Sequence, residues 1–208
     1  TALTPPIQSN KNSPCKSLPI AKRIAMLKVS FLRTMHMAKS KADFDFSGAK
    51  LQKAWNTLHA GDCEPYPDEA HVLSLIQSNA KLGKATKASD ISEALLEAWR
   101  AFHHGHFEEA FTIAKALGPI GYSAAIKAAG IHAVHFIEDE KTREKRFAEL
   151  VKLAESAMDA LPEEANSHFR YAFALGRYSQ CISIAKALTQ GLAGKVKVAL
   201  EKTLELAP

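Results

Sequence analysis

Apolar residues recur every three to four positions through most of residues 47–208, with polar residues between them. That spacing is typical of amphipathic α-helices, which have about 3.6 residues per turn. No stretch alternates apolar and polar residues long enough to predict a strand. The pattern therefore predicts an all-α fold. The predicted helices cover residues 47–60, 68–82, 90–104, 107–117, 121–137, 141–160, 164–175, 178–190 and 193–206.

The clearest helix–turn–helix signal surrounds Gly105. A glycine there supplies the left-handed conformation that ends one helix, and Phe107 then enters the next helix. Pro119 ends that second helix, because its ring cannot continue one. Residues 149–162 and 196–208 are also amphipathic and also end in a proline.

The residues Gly105, Phe107, Glu109 and Ala110, with Ala98 before them, resemble the turn of a tetratricopeptide repeat. The closing prolines lie 43 and 46 residues apart, whereas the family period is about 34 residues. The resemblance thus implies an α-solenoid of degenerate tetratricopeptide-like helix pairs. A partial earlier copy is predicted near residues 51–62.

The stretch Asn166-Ser-His168-Phe-Arg170-Tyr171-Ala172, followed by Gly176, is similar to the regulator of microtubule dynamics family. The similarity covers roughly residues 90–208. Members of that family carry an atypical tetratricopeptide domain used as an adaptor, in some cases for lipid. The resemblance therefore implies a binding role and not a catalytic one.

In a tetratricopeptide solenoid the first helix of each pair lines a groove. We therefore predict a protein or peptide partner held in that groove, with no cofactor. Tryptophan and arginine are favoured contact residues in such surfaces. The predicted groove residues are Leu95, Trp99, Phe102 and His103 on one first helix and Arg170, Phe173 and Arg177 on a later one. The alternative is that Trp99 and Phe102 only pack against the preceding helices.

Residues 1–46 form a separate N-terminal arm by composition, and residues 47–208 form the helical domain. The first 42 residues hold eight basic residues and no acidic one, so the remainder of this +5 chain has a net charge of −3. Prolines among serine and lysine predict a largely disordered arm. The arm has three interpretations: a non-native extension before Met37, a targeting segment, or a basic helix at 20–39 on a lipid surface.

The remaining composition excludes several classes. A slightly acidic helical domain without clustered lysine and arginine predicts no nucleic-acid partner. The three cysteines form no CxxC pair, which favours reduced thiols and a cytoplasmic location. No apolar run approaches the roughly 20 residues that span a bilayer.

Candidate chemistry is sparse. The histidines at 103, 104 and 106, and those at 132 and 135, could approach a metal only if they converged. Cys63 with His59, Asp62 and His71 could form a metal or nucleophile site, but Pro65 and Pro67 favour a rigid loop. We predict no catalytic and no metal-binding residue. An enzyme or an enzyme accessory subunit is the rival class, and a deep pocket with converging His and Glu would favour it.

The last predicted helix lacks a polar capping helix after it. Leu200, Leu204 and Leu206 are therefore predicted to lack a cover. A further segment, a partner or a second copy in a homo-oligomer would then bind at this end.

Overall fold

The computed structural model describes residues 46–79, 81–82 and 86–207. Regular secondary structure within these ranges is helical, which confirms the all-α class. Predictions about residues 1–45 and Pro208 lie outside the described residues. The described α-helices are α1 Lys50–Leu58, α2 Glu69–Ser78, α3 Ala88–His103, α4 Phe107–Ala116, α5 Tyr122–Phe136, α6 Glu140–Ala160, α7 Ala165–Gln180, α8 Ile184–Thr189 and α9 Leu192–Leu206. A 3-10 helix, Gly118–Gly121, joins α4 to α5.

Local signals in the sequence determine several helix boundaries. Asp68 caps α2 by accepting a hydrogen bond from the backbone N–H of His71 at 2.8 Å. Asp139 caps α6 in the same way, by accepting from Thr142 at 2.7 Å. Such side chains satisfy backbone donors that have no partner within the helix. Gly105 has a φ of +81° in the turn after α3, as its position predicted.

The end of α7 differs from the prediction. The helix was expected to stop near residue 175, but it continues to Gln180. A glycine is tolerated inside a helix at a modest cost, and Gly176 stays helical here. The following helix, α8, is consequently short.

The long apolar side chains of α8 do not enter the core. Cys181 lies half-buried against the core at the end of α7. Ile184 and Leu188 instead point to solvent and are 80% and 73% exposed.

Helices that follow one another in the chain also pack on one another, from α2 to α7, and α7 then packs mainly on α9. In addition, α3 contacts α5, and α5 contacts α7. We call α3, α5 and α7 the first helices, because each begins a helix pair. Most of the core belongs to one hydrophobic cluster that spans α1, α3 to α7 and α9. A smaller cluster joins α2 to the start of α3 and contains Leu95.

The surface of α9 agrees with the predicted lack of cover. Leu200 is exposed, and Leu204 is 67% exposed. A partner or a second copy at this end remains a prediction. Among the helices that the structure describes, none has the length and apolar character needed to cross a membrane.

Gly121 provides a test of the packing between α4 and α5. A Cβ atom at this position would lie 2.0 Å from the backbone oxygen of Ala114. Gly121→Ala therefore requires a backbone shift, and we expect it to lower the free energy of unfolding by about 1–3 kcal/mol. Urea unfolding followed by circular dichroism measures this change.

The matched control is Gly176→Ala, because a Cβ atom at Gly176 meets no other atom within 4 Å. That substitution should raise the free energy of unfolding by about 0.5–1 kcal/mol, since alanine is the better helix former. Equal effects of the two substitutions would contradict the described packing.

Candidate functional site

Three of the predicted groove residues, Trp99, His103 and Arg170, are covered by a segment of the same chain. Trp99 is 1% exposed, and Arg170 is 3% exposed. The covering segment comprises residues 46–67, which include α1 and the loop after it. We call residues 46–67 the strap.

Aromatic rings attach the strap to α3. The Trp55 ring meets the Trp99 ring edge to face, with centroids 5.6 Å apart. Trp55 also stacks on His59 at 4.0 Å. The indole N–H of Trp55 donates a hydrogen bond to the backbone oxygen of Glu64 at 2.7 Å, which closes the loop back onto α1. Buried aromatic contacts of this kind combine a large apolar area with a specific geometry.

A buried ionic cluster attaches the strap to α5 and α7. The Arg170 Nη2 group donates to Asp62 Oδ2 at 2.6 Å and to Glu64 Oε2 at 2.8 Å. Lys127 Nζ donates to the same Asp62 oxygen at 2.6 Å. Two carboxylates of the strap are thus paired with two cations of the first helices. Charge-assisted hydrogen bonds are the stronger class of hydrogen bond.

Neutral donors complete the binding of Glu64. Ser123 Oγ donates to Glu64 Oε2 at 2.7 Å and accepts from Arg170 Nε at 3.0 Å. Asn166 Nδ2 donates to the same Glu64 oxygen at 2.9 Å. We call Ser123, Lys127, Asn166 and Arg170 the carboxylate cradle. All four side chains come from α5 and α7, whereas both carboxylates come from the strap.

Helix geometry explains how the cradle forms. Ser123 and Lys127 lie four residues apart on α5, and Asn166 and Arg170 lie four residues apart on α7. Residues with that spacing share one helix face. Because α5 packs on α7, the two polar pairs meet.

The loop of the strap is shaped to present its two carboxylates together. Its turn begins with the Cys63 N–H, which donates to the His59 carbonyl at 2.8 Å. Cys63 has a φ of +45°, which is unfavourable for a residue with a side chain. This conformation turns Asp62 and Glu64, on either side of Cys63, towards Arg170. Backbone strain at such a position is retained only where surrounding contacts hold it.

Two histidines connect the ionic cluster to α3. His59 Nδ1 lies 3.1 Å from Asp62 Oδ1, so that nitrogen carries the proton and donates. The other nitrogen of His59, Nε2, then accepts from His103 Nε2 at 3.2 Å. Burial, and then the proximity of His59 and Lys127, lowers the pKa of His103 to about 4. The His103 ring is therefore neutral at pH 7.

The carboxylate of Asp62 stays ionised despite its position. Burial alone would raise the pKa of Asp62, but the hydrogen bond from His59, the charge of Arg170 and the hydrogen bond from Lys127 lower it well below its usual range. Burial lowers the pKa of Lys127, and its hydrogen bond to Asp62 opposes that change. The cluster is thus balanced in charge, which a buried ion pair requires.

Glu164 is an acidic group beside the cluster whose charged form is disfavoured. It lies just before α7. Burial, and then the negative charge of Glu64, raise the pKa of Glu164 to about 7. The carboxyl of Glu164 therefore changes charge near neutral pH, next to the cradle.

The arrangement is suited to holding carboxylates. Its cations and carboxylates neutralise one another, and the Cys63 thiol is exposed on the outer side of the loop. In the part of the chain that is described, no three His, Cys, Asp or Glu residues are grouped to hold a metal ion. His132 pairs instead with Glu108, at 3.0 Å.

The predicted groove residues separate into three sets. Trp99, His103 and Arg170 come together and bind the strap. Phe102, Phe173 and Arg177 are partly exposed. Leu95 lies apart from them, because it packs in the smaller cluster with α2.

Sequence reasoning missed most residues of the ionic cluster around Arg170. Asp62 was considered only beside Cys63, Asn166 was named only in a family resemblance, and Glu64, Ser123 and Lys127 were not singled out. A usable signal existed, because polar residues four apart interrupt otherwise apolar faces of two neighbouring helices. The partners of those residues on the strap had no such signal.

Comparison with known proteins gives no match: no family model matches the sequence, no curated protein matches it, and no solved structure matches it. Function is therefore argued from the geometry of the strap, the cradle and the first helices.

The raised pKa of Glu164 predicts how the stability of the fold depends on pH. Because folding raises the pKa of Glu164, the folded chain binds this proton more tightly than the unfolded chain does. The resulting stabilisation is complete below the ordinary pKa of 4.5 and is lost as the pH rises through about 7. Glu164→Gln mimics the neutral form at every pH. We expect the variant to be more stable than the natural chain by about 1–3 kcal/mol at pH 8, with no difference at pH 4.5.

Urea unfolding of both chains at the two pH values measures this difference. At any one pH, His103 contributes equally to the stability of both chains, so its contribution cancels in the comparison. This matters because the contributions of His103 and Glu164 change in opposite directions with pH. The control is Glu163→Gln, because Glu163 is the exposed neighbour of Glu164. An equal gain at both pH values, or no gain at pH 8, would show that Glu164 is not in the environment described.

Proposed function

We propose that the chain is a non-catalytic adaptor of tetratricopeptide type, which holds a protein or peptide partner on the surface formed by its first helices. The order of packing supports this architecture. The helix α3 contacts both α4 and α5, and α5 contacts both α6 and α7, as in a stack of helix pairs. The Gly105 turn between α3 and α4 has the conformation that such a pair requires.

One observation carries the proposal. The surface of the first helices already holds a polypeptide segment, namely the strap. Side chains from three different helices contribute to this binding: His103 from α3, Lys127 from α5 and Arg170 from α7. Repeat proteins use such composite surfaces to bind extended or helical peptides.

Part of this surface remains open to a partner. Phe173 lies one turn beyond Arg170 on α7, and Arg177 lies one further turn along the same helix. The Arg177 guanidinium lies 5.9 Å from the centre of the Phe173 ring. An arginine beside an aromatic ring is a combination enriched among residues that dominate binding energy.

Affinity capture from native lysate, quantified by mass spectrometry, tests the proposal. We expect the natural chain to enrich a reproducible partner, and we expect Arg177→Glu to reduce its recovery at least about tenfold, equivalent to about 1.4 kcal/mol. The control is Lys152→Glu, a charge reversal at an exposed position of α6. Lys152→Glu should leave recovery unchanged.

Two results would contradict the proposal. One is the absence of any partner enriched over an unrelated helical protein. The other is recovery that falls equally with Lys152→Glu and Arg177→Glu, because the loss would then not depend on the surface of the first helices.

A further inference from the structure

The carboxylate cradle is itself a ligand site by its chemistry. It consists of two cations, Lys127 and Arg170, and two neutral side chains that donate to a carboxylate, Ser123 and Asn166. The cradle contains no acid. Glu164 is the acidic group at its border, and that carboxyl is only partly ionised at pH 7 because its pKa is raised to about 7. A surface of this composition binds carboxylates in preference to other groups.

The ligand that occupies the cradle has the form of a short acidic peptide. The strap is one continuous segment. Phe46, Leu51 and Trp55 of the strap belong to the main hydrophobic cluster, and polar anchors follow them along the segment. Trp55 and His59 supply the ring contacts with α3, and Asp62 and Glu64 supply the carboxylates. The pattern is therefore an aromatic residue followed, seven and nine residues later, by two carboxylates.

The strap also ends at a fixed point. The Ser92 hydroxyl on α3 donates to the backbone oxygen of Pro67 at 2.7 Å, and both groups are buried. This hydrogen bond holds Pro67 on α3 separately from the contacts that Asp62 and Glu64 make. The strap thus has the arrangement of an internal ligand tethered beside its own site.

We infer that the carboxylate cradle is a recognition site for an acidic peptide carrying an Asp-x-Glu sequence behind an aromatic anchor, and that the strap is the internal ligand such a peptide displaces. The inference rests on the proposed function, since it names the class of partner for the covered part of the same surface. Recognition is carried by Arg170, which binds both carboxylates through one nitrogen.

The strap is covalently attached to the rest of the chain, and this attachment determines how its displacement by a peptide can be measured. A segment joined by a short linker has an effective concentration on the order of millimolar, so a free peptide competes poorly with an intact strap. Replacing both strap carboxylates by amides removes the charges that balance Lys127 and Arg170. Burial of unpaired cations is unfavourable, so the neutral strap should leave the cradle.

The experiment uses the full chain with Asp62→Asn and Glu64→Gln together. The probe is a fluorescein-labelled synthetic peptide with the sequence of residues 50–67, in which Cys63 is replaced by serine. Fluorescence anisotropy measures its binding. We expect this chain to bind the peptide at least about 100-fold more tightly than the natural chain does, because the natural strap competes at about millimolar effective concentration.

The matched control is the same peptide with both carboxylates replaced by amides. We expect its affinity for the substituted chain to fall at least about tenfold, as loss of charge-assisted hydrogen bonds requires. Equal binding of the two peptides, or no binding by a substituted chain whose circular dichroism remains helical, would overturn the inference.

A second measurement needs no substitution, in case the doubly substituted chain fails to fold. The natural chain is mixed with the acidic peptide at several millimolar, and hydrogen exchange is followed by mass spectrometry. We expect faster exchange in Lys50–Leu58 and unchanged exchange in Glu140–Ala160. No change in Lys50–Leu58 would overturn the inference. Either failure leaves the capture experiment on Arg177 unaffected, so the two proposals are separable.

Discussion

The buried guanidinium of Arg170 is the constraint on which the described structure most depends. A charged group at 3% exposure is costly unless opposite charges and hydrogen bonds surround it. Arg170 meets this requirement with two carboxylates that lie more than 100 residues earlier in the chain. The position of the strap on α5 and α7 therefore follows from the need to neutralise this one side chain. Replacing such a cluster with apolar residues can leave stability unchanged. The contribution of the ionic cluster is therefore to select one position for the strap.

Because the strap occupies this position, the surface of the first helices is not an open groove. An open groove would leave Trp99, His103 and Arg170 in solvent, ready for a partner. Instead these residues hold residues 46–67, and Phe173 and Arg177 continue the surface beyond the strap. The surface of the first helices therefore has two adjoining parts, one with half-buried side chains and one covered by an internal segment.

Much of the fold was predictable because its signals are local. The turn at Gly105, the helix ending before Pro162 and the cap at Asp68 each depend on a few neighbouring residues. The end of α7 was less predictable, since Gly176 can either end a helix or remain inside it. The pairing of His59 with His103, and of Asp62 with Arg170, spans 44 and 108 residues. Periodicity contains no information at that range, so the sequence pointed to Trp99, His103 and Arg170 without the residues that they contact.

The coupling free energy between Asp62 and Arg170 tests this account most directly. It is obtained from the free energies of unfolding of the natural chain, Asp62→Asn, Arg170→Met and the double variant. The account predicts a favourable coupling above about 1.5 kcal/mol, as for close and desolvated charge pairs. The exposed pair Lys197–Glu201 supplies the baseline, at below about 0.5 kcal/mol. A coupling for Asp62 and Arg170 no larger than that baseline would contradict the claim that their ion pair holds the strap.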